Sequence, residues 1–373
     1  MTCGALLKRV TLWLTRPACE SEPDGPGGNP RSPRISARTG TWTLLAFCGI
    51  LFACMPLVMQ AQETKATEDL KPRPETLTTK DDRPLALAIT YWPSAMKQDG
   101  AVVVLLHGQK GNQLDWGALP KALQDEGYAV IAVDLRGHGQ SKTVGATVEA
   151  VETNPKKKPK PAKLGVKEVD ANNLKVVDYE NMVQYDMKAV KAFIFSEHQK
   201  KKLNMNKMGI IGGTMGASVG LQFAARDWME KPHSDGPVGN QTPRGQDVRA
   251  LVLLTPDPEV KLPLTPAVDT LRAPILQVAM LFGVGKKDKP DKGTTKSLFE
   301  KAATPEIENN NPDDPSRRRM YLVEYNSPAR GTGLLGKNLS VEVNLTNFLK
   351  KHLQEVKSEW RDRESKLGRK KPA

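Results

Sequence analysis

Residues 207–225 constrain the fold of this chain more than any other stretch. An apolar run at 208–211 is followed by Gly-Gly-Thr-Met-Gly, and then by small residues at 217–225. This pattern predicts a strand, a tight turn and a helix. Gly212 and Gly216 would leave room for a strained central residue, Thr214, with its side chain exposed at the start of the helix. The sequence therefore places a hydroxyl at the tip of a glycine-rich turn.

The first 74 residues differ in character from the rest of the chain. Residues 1–40 are rich in Arg, Pro and Gly without apolar periodicity, which predicts an unstructured leader. Residues 41–61 are mostly apolar and resemble a signal peptide, with a membrane anchor as the alternative. Residues 62–74 form a polar linker. We therefore expect an exported protein that is secreted, periplasmic or membrane-anchored, and the sequence leaves lipidation of Cys54 open.

The cysteines restrict the chemistry of the remaining chain. All four lie in the first 54 residues. The predicted folded domain, residues 75–356, therefore has no thiol for a disulfide, a nucleophile or a cysteine metal site. No metal or organic cofactor is expected.

Two buried strands precede the glycine-rich turn. Residues 101–106 and 129–133 are apolar runs typical of strands that are buried on both faces, and 116–125 has helical spacing. Strand, helix and strand in this order predict a parallel βαβ unit. His107 and Gly108 follow the first strand, and Asp-Leu-Arg-Gly-His-Gly-Gln-Ser follows the second at 134–141.

Together, the His107–Gly108 pair, segment 134–141 and the turn at 212–216 resemble the α/β-hydrolase superfamily of serine hydrolases and esterases. The resemblance covers residues 75–353. It implies an α/β fold with a mostly parallel central sheet and helices on both faces. The predicted strands at 248–254 and 274–280 are separated by a short segment, so we expect no large lid domain and an open cleft.

The resemblance also implies a triad of serine nucleophile, histidine base and acid. Thr214 lies at the nucleophile position, Asp288 at the acid position, and Arg330 at the position expected for histidine. The β-branched side chain of threonine suits a positive φ poorly. A guanidinium stays protonated, so Arg330 cannot act as a base, although it can form a bidentate ion pair with Asp288.

The backbone amides of the implied oxyanion hole need no particular side chain. By position they belong to Gln109 and Met215, so the cleft is expected to bind a small carbonyl or carboxylate ligand. The resemblance implies structural roles for His107 and His138. The other three histidines, at positions 198, 233 and 352, are expected away from the site.

A basic insertion is predicted at 145–177. Its centre, residues 156–163 from Lys156 to Lys163, is rich in lysine and proline and predicts a mobile surface loop. With the basic tail at 357–373, it either contacts an anionic surface or is simply solvated. No stacking aromatic residues accompany the lysines, so no nucleic-acid partner is expected.

Three functions are compatible with these features. The one favoured is an exported pseudo-hydrolase, impaired in catalysis, with an oxyanion pocket that binds a ligand. The alternative is an active carboxylic-ester hydrolase that uses Thr214 as nucleophile with a base located elsewhere. The third is a surface-binding scaffold that relies on its lysine tract and tail.

Overall fold

The structure is a computed structural model that describes residues 70–144, 167–304 and 315–368. The predicted leader, the apolar segment at 41–61, most of the linker and the lysine tract at 156–163 lie outside these ranges. Within them, none of the helices combines the length and the hydropathy that crossing a bilayer requires.

A large mixed sheet organises the described residues. Its eight strands lie in the order β1-β2-β4-β3-β7-β8-β9-β10, and β5 pairs with β6 in a separate ribbon. Strands β1, β2 and β4 pair antiparallel, and the remaining neighbours in the large sheet pair parallel. The predicted α/β fold with a mostly parallel sheet is therefore confirmed. The strands are β1 Arg73–Thr78, β2 Ala86–Trp92, β3 Ala101–Leu106, β4 Ala129–Val133, β5 Thr143–Val144, β6 Lys167–Glu168, β7 Asn204–Gly213, β8 Val248–Leu254, β9 Ala279–Gly285 and β10 Met320–Tyr325.

Helices cover both faces of the sheet. Alternate residues of β3 point to opposite faces, so Val102 and Val104 join one apolar cluster whereas Val103 and Leu105 join the other. Helices α2 to α6 pack on the first face, and α1 and α7 pack on the second. The α-helices are α1 Leu119–Asp125, α2 Val176–Asn181, α3 Met187–Gln199, α4 Met215–Met229, α5 Leu264–Leu271, α6 Thr294–Ala302 and α7 Val341–Leu349.

Several predicted helix bounds differ from the structure. Apolar residues at helical spacing predict a helix over 179–199. The structure begins it earlier, with α2, and a π-helical segment, Met182–Asp186, connects α2 to α3. The helix predicted at 116–125 begins only at Leu119, because Gln113–Trp116 forms a separate 3-10 turn with its own cap. The sequence also predicts a closing helix over 343–356. In the structure it begins earlier, as α7, and continues as a π-helical segment, Lys350–Gln354.

The strand predicted at 274–280 is wrong. Pro274–Leu276 forms a 3-10 turn, and β9 continues through Gly283 to Gly285, beyond the end of the predicted strand. Glycine serves close packing here, since a Cβ at Gly283 would lie 2.8 Å from Leu254 Cδ2. Between β8 and β9 the chain contains short helical segments and no lid domain.

The C-terminal segment differs from the predicted basic tail at 357–373. Trp360 stacks on His198 with ring centroids 5.0 Å apart and donates its indole N–H to the His198 carbonyl. Arg363 is only 5 % exposed, pairs with Asp247 and donates to Asn206 Oδ1 at 2.7 Å. The folded unit therefore extends beyond residue 356, at least to these anchoring residues.

We expect Arg363→Ala to destabilise the protein by about 1–3 kcal/mol, because the buried Asp247 carboxylate loses one of its two cationic partners and keeps only Lys191. Urea unfolding followed by circular dichroism measures this loss. Arg361→Ala is the matched control, since Arg361 is exposed. Equal unfolding midpoints for the two variants would show that the segment contributes no stability.

Candidate active site

Thr214 occupies the turn between β7 and α4 in a strained conformation. Its φ is 43° and its ψ is −109°. Its N–H donates to the Leu254 carbonyl at 2.8 Å, and its carbonyl accepts from the Ala217 N–H at 3.0 Å. A β-branched residue pays roughly 1–3 kcal/mol in such a conformation. The predicted strained turn is therefore present, with threonine at its tip.

Two glycines make this turn possible by allowing close backbone contacts. A Cβ at Gly216 would collide with the carbonyl oxygens of Leu106 and His107 at the end of β3. A Cβ at Gly212 would collide with the backbone of Ala217. Both positions therefore require glycine for steric reasons.

Loops that follow β3 and β10 converge on the Thr214 side chain. Gly108 lies against the hydroxyl, because a Cβ there would collide with Oγ1. Gly331 lies against the methyl group, and a Cβ there would be 2.9 Å from Thr214 Cγ2. The sequence reasoning did not identify Gly331, although its position next to Arg330 in a glycine-bearing loop was the available signal.

Asp288 and Arg330 form an ion pair beside this turn. Arg330 Nε donates to Asp288 Oδ2 at 3.1 Å, and the Asp288 side chain is fully buried. Burial raises the pKa of the Asp288 carboxyl, and the guanidinium opposes that shift. The sequence suggested a bidentate pair, but only Nε bonds to the carboxylate. Arg330 Nη2 is buried without a hydrogen-bond partner among the described residues. The pair joins the loops that follow β9 and β10.

The two histidines nearest in sequence to the strand ends bind backbone. His107 Nε2 accepts from the Leu135 N–H at 3.0 Å, so its Nδ1 carries the proton and donates to the Gly108 carbonyl at 2.7 Å. Burial lowers the pKa of His107 to about 3. His138 packs against it and contacts the Arg136 carbonyl through Nδ1 at 2.9 Å. Neither histidine hydrogen-bonds to Thr214.

The remaining histidines make contacts elsewhere. His198 contacts the Arg361 carbonyl at 2.7 Å, and His352 contacts the Tyr321 hydroxyl at 2.9 Å. His233 lies in the loop at 230–247. In the described part of the chain, no histidine ring therefore hydrogen-bonds to the Thr214 hydroxyl.

The backbone amides of Gln109 and Met215 follow β3 and Thr214, as expected. Within the described ranges, neither N–H donates to a protein acceptor. The Gln109 side chain is exposed and lies 3.5 Å from the Tyr179 hydroxyl, whereas the Met215 side chain is buried. Two backbone donors are therefore available in the loops around Thr214.

Ser218 has a structural position one turn into α4. Its hydroxyl lies 2.9 Å from the Asp257 carbonyl and 2.9 Å from the Asp257 N–H. It is fully buried and fixes the loop that follows β8. No group of acidic, histidine or cysteine side chains in the described ranges could hold a metal ion.

A family model described as the α/β hydrolase fold matches residues 101–296. The chain belongs to this family. The predicted family and fold are confirmed. No curated protein matches the sequence.

Solved structures share the fold at low identity. An esterase of Pyrococcus furiosus is 16 % identical, with 86 % of this chain and 97 % of that chain covered and a TM-score of 0.47. A dienelactone hydrolase of Anabaena variabilis is 14 % identical, with 76 % of this chain and 99 % of that chain covered and a TM-score of 0.43. An acylaminoacyl peptidase of Pyrococcus horikoshii is 11 % identical, with 80 % of this chain and 45 % of that chain covered and a TM-score of 0.50.

We expect acid to destabilise this protein through its buried histidines. Burial and nearby cations lower the pKa of His352 to about 3, whereas an unfolded histidine has an ordinary value near 6.5. The unfolded chain therefore binds a proton that the folded protein excludes, and stability falls as the pH drops from 6.5 toward 3. Each such histidine contributes up to about 1.4 kcal/mol per pH unit.

Urea unfolding of the wild type and of His352→Gln at pH 7.5, 6 and 5 measures this slope. Asp186, whose pKa burial raises to about 6, acts in the opposite sense below that pH, so the difference between the proteins isolates the histidine. A shallower slope in His352→Gln is expected, and identical slopes would contradict the assignment.

Proposed function

We propose that this α/β-hydrolase-fold protein is impaired in catalysis and uses its cleft to bind a ligand. The observation that carries this proposal is the ion pair between Asp288 and Arg330. In a working triad the acid orients a histidine that removes the nucleophile's proton. Here the acid holds a permanently protonated guanidinium instead.

Among the described residues, no side chain that could act as a base hydrogen-bonds to the Thr214 hydroxyl. Acyl transfer by a hydroxyl requires a neighbouring group that accepts its proton. His107 uses both ring nitrogens in bonds to backbone, and burial disfavours its protonated form. His138 binds backbone through Nδ1, and its buried Nε2 has no hydrogen-bond partner among the described residues. The contacts of His107 therefore argue against a hidden base there, and His138 makes no hydrogen bond to Thr214.

The free backbone donors indicate the chemistry of the ligand. The N–H groups of Gln109 and Met215 have no protein acceptor within the described residues. Met215 follows Thr214 in the chain, and Gly108, which precedes Gln109, lies against the Thr214 hydroxyl. Backbone amides of this kind stabilise negative charge on oxygen. The proposed ligand is therefore a small molecule with a carbonyl or carboxylate group.

An active carboxylic-ester hydrolase that uses Thr214 is the second candidate. The strained φ of 43° favours it, because this strain holds the hydroxyl at the tip of the turn. This candidate requires a base at a position other than Arg330.

Hydrolysis of p-nitrophenyl acetate and butyrate separates the two candidates. We expect the wild type and Thr214→Ala to share one background rate, because no base activates the threonine. Loss of a measurable rate in Thr214→Ala would instead establish threonine catalysis. The double variant Thr214→Ser with Arg330→His supplies both missing groups and is expected to raise the rate by roughly 10²-fold. Its single variants serve as controls.

The export predicted from residues 41–61 is part of this proposal. We expect the full chain to be recovered outside the cytoplasm when it is expressed with a C-terminal tag. The matched protein without residues 41–61 should remain inside, because it lacks the apolar segment that export requires. Equal distribution of the two proteins between fractions would contradict export.

A further inference from the structure

A pocket separate from the Thr214 site lies at the amino-terminal end of β7, whereas Thr214 lies at the carboxyl-terminal end of that strand. It has a volume of about 520 Å³ and lies among α3, the C-terminal half of α4, the start of β7 and the loop at 230–247. Met205 lines it at the start of β7, whereas Thr214 follows the end of the same strand. At about 3.3 Å per residue, these positions are roughly 30 Å apart. The pocket is therefore separate from the proposed ligand cleft.

The floor of this pocket is apolar. Val183, Met205 and Phe223 are buried there, and Phe195 is half-buried beside them. Aliphatic, thioether and aromatic side chains of this kind suit an alkyl chain, and methionine adapts its shape to such a ligand. The volume also falls in the range of small-molecule sites.

The rim of the pocket is strongly basic. Among the described residues, only two carboxylate residues line it, Asp227 and Glu230. Six lysine and arginine side chains line it: Lys80, Lys188, Lys191, Arg226, Arg244 and Arg363. The lining therefore carries an excess of positive charge above an apolar floor.

Part of this charge is neutralised inside the protein. Lys191 is 14 % exposed in its side chain and pairs with Asp227 and, at 2.8 Å, with Asp247. Arg363 pairs with the same Asp247. Lys188 Nζ lies 3.6 Å from a carboxylate oxygen of Glu230. These ion pairs fix one wall of the pocket. They do not neutralise the other three cations that line it.

Three exposed cations on the rim, Lys80, Arg226 and Arg244, have no carboxylate partner among the described residues. Their positive charge lies beside apolar surface, where an anionic headgroup would be partly shielded from water. Arginine also presents a planar fork that matches a carboxylate. The complementary ligand is an anion with an apolar chain.

We propose that this pocket binds a free medium-chain alkyl carboxylate, whose headgroup pairs with Arg226 and Arg244 and whose alkyl chain covers Phe195, Met205 and Phe223. The volume holds a ligand of drug-like size, which favours a single-chain carboxylate over a membrane phospholipid. Recognition requires both parts of the molecule, because the cations select the charge and the floor selects the chain.

Titration calorimetry of the full chain with decanoate tests this proposal. Decanol, which lacks the charge, and acetate, which lacks the chain, are the matched ligands, and each is expected to bind at least about tenfold more weakly. Decanol binding as tightly as decanoate would overturn the role of the cations. Binding only to vesicles of anionic phospholipid, and not to decanoate, would overturn the choice of ligand.

The double variant Arg226→Gln with Arg244→Gln is expected to weaken decanoate binding by at least about tenfold. Lys121→Gln with Lys337→Gln removes the same charge from distant exposed positions and should leave the affinity unchanged. Thr214→Ala should also retain binding, which distinguishes the pocket from the cleft. Unchanged affinity in the arginine variant, with an unchanged unfolding midpoint, or loss in Thr214→Ala, would refute the proposal.

Discussion

Close backbone contact between the end of β3 and the start of α4 is the constraint on which the site depends. Because Gly216 has no side chain, the first turn of α4 can lie directly against the carbonyl oxygens of Leu106 and His107. This contact leaves no space for a relaxed turn, and Thr214 accordingly has a positive φ. Strain of this kind persists only where the surrounding structure over-determines the conformation. The position of the hydroxyl is thus a property of the fold, whichever residue carries it.

The Asp288–Arg330 pair has a stabilising role apart from any ligand. A carboxylate with a fully buried side chain costs several kcal/mol unless a partner compensates the lost hydration. The guanidinium supplies that compensation and also holds the loop after β10 against the loop after β9. Gly331, next to Arg330, then reaches the methyl group of Thr214. A single ion pair therefore fixes one wall of the cleft while it occupies the acid.

The sequence was sufficient to predict the bounds of an element where a single local pattern determined them. The bounds of β3, β4 and β8 match the predicted strands, because their largely apolar runs end at polar or turn residues. The opposite occurred at 274–285, where the predicted strand begins too early and stops before the glycines that pack inside β9. Long-range pairs leave no local signal at all. Arg363 and Asp247 are 116 residues apart, and the segment around Arg363 consequently resembled a solvated tail.

The candidate site was predictable to the extent that position alone defines it. The turn at Thr214, the carboxylate at Asp288 and the arginine at Arg330 follow from the order of motifs and strands. Their mutual geometry does not, because the single Nε–Oδ2 bond depends on how two separate loops pack. The cationic pocket was equally inaccessible, since its lining comes from five separate parts of the chain.

Helix α4 runs from the cleft to the pocket, and its two ends carry partial charges of opposite sign. Its N-terminus, which carries partial positive charge, lies at Thr214, so backbone dipoles favour an anionic oxygen there. Its C-terminus carries partial negative charge and lies at the pocket, where it disfavours an anion. The side chains of Arg226 and its neighbours must therefore supply all of the attraction in the pocket. In the proposed complexes, ligand charge is consequently recognised by fixed backbone groups at one end of α4 and by exposed, salt-screened side chains at the other.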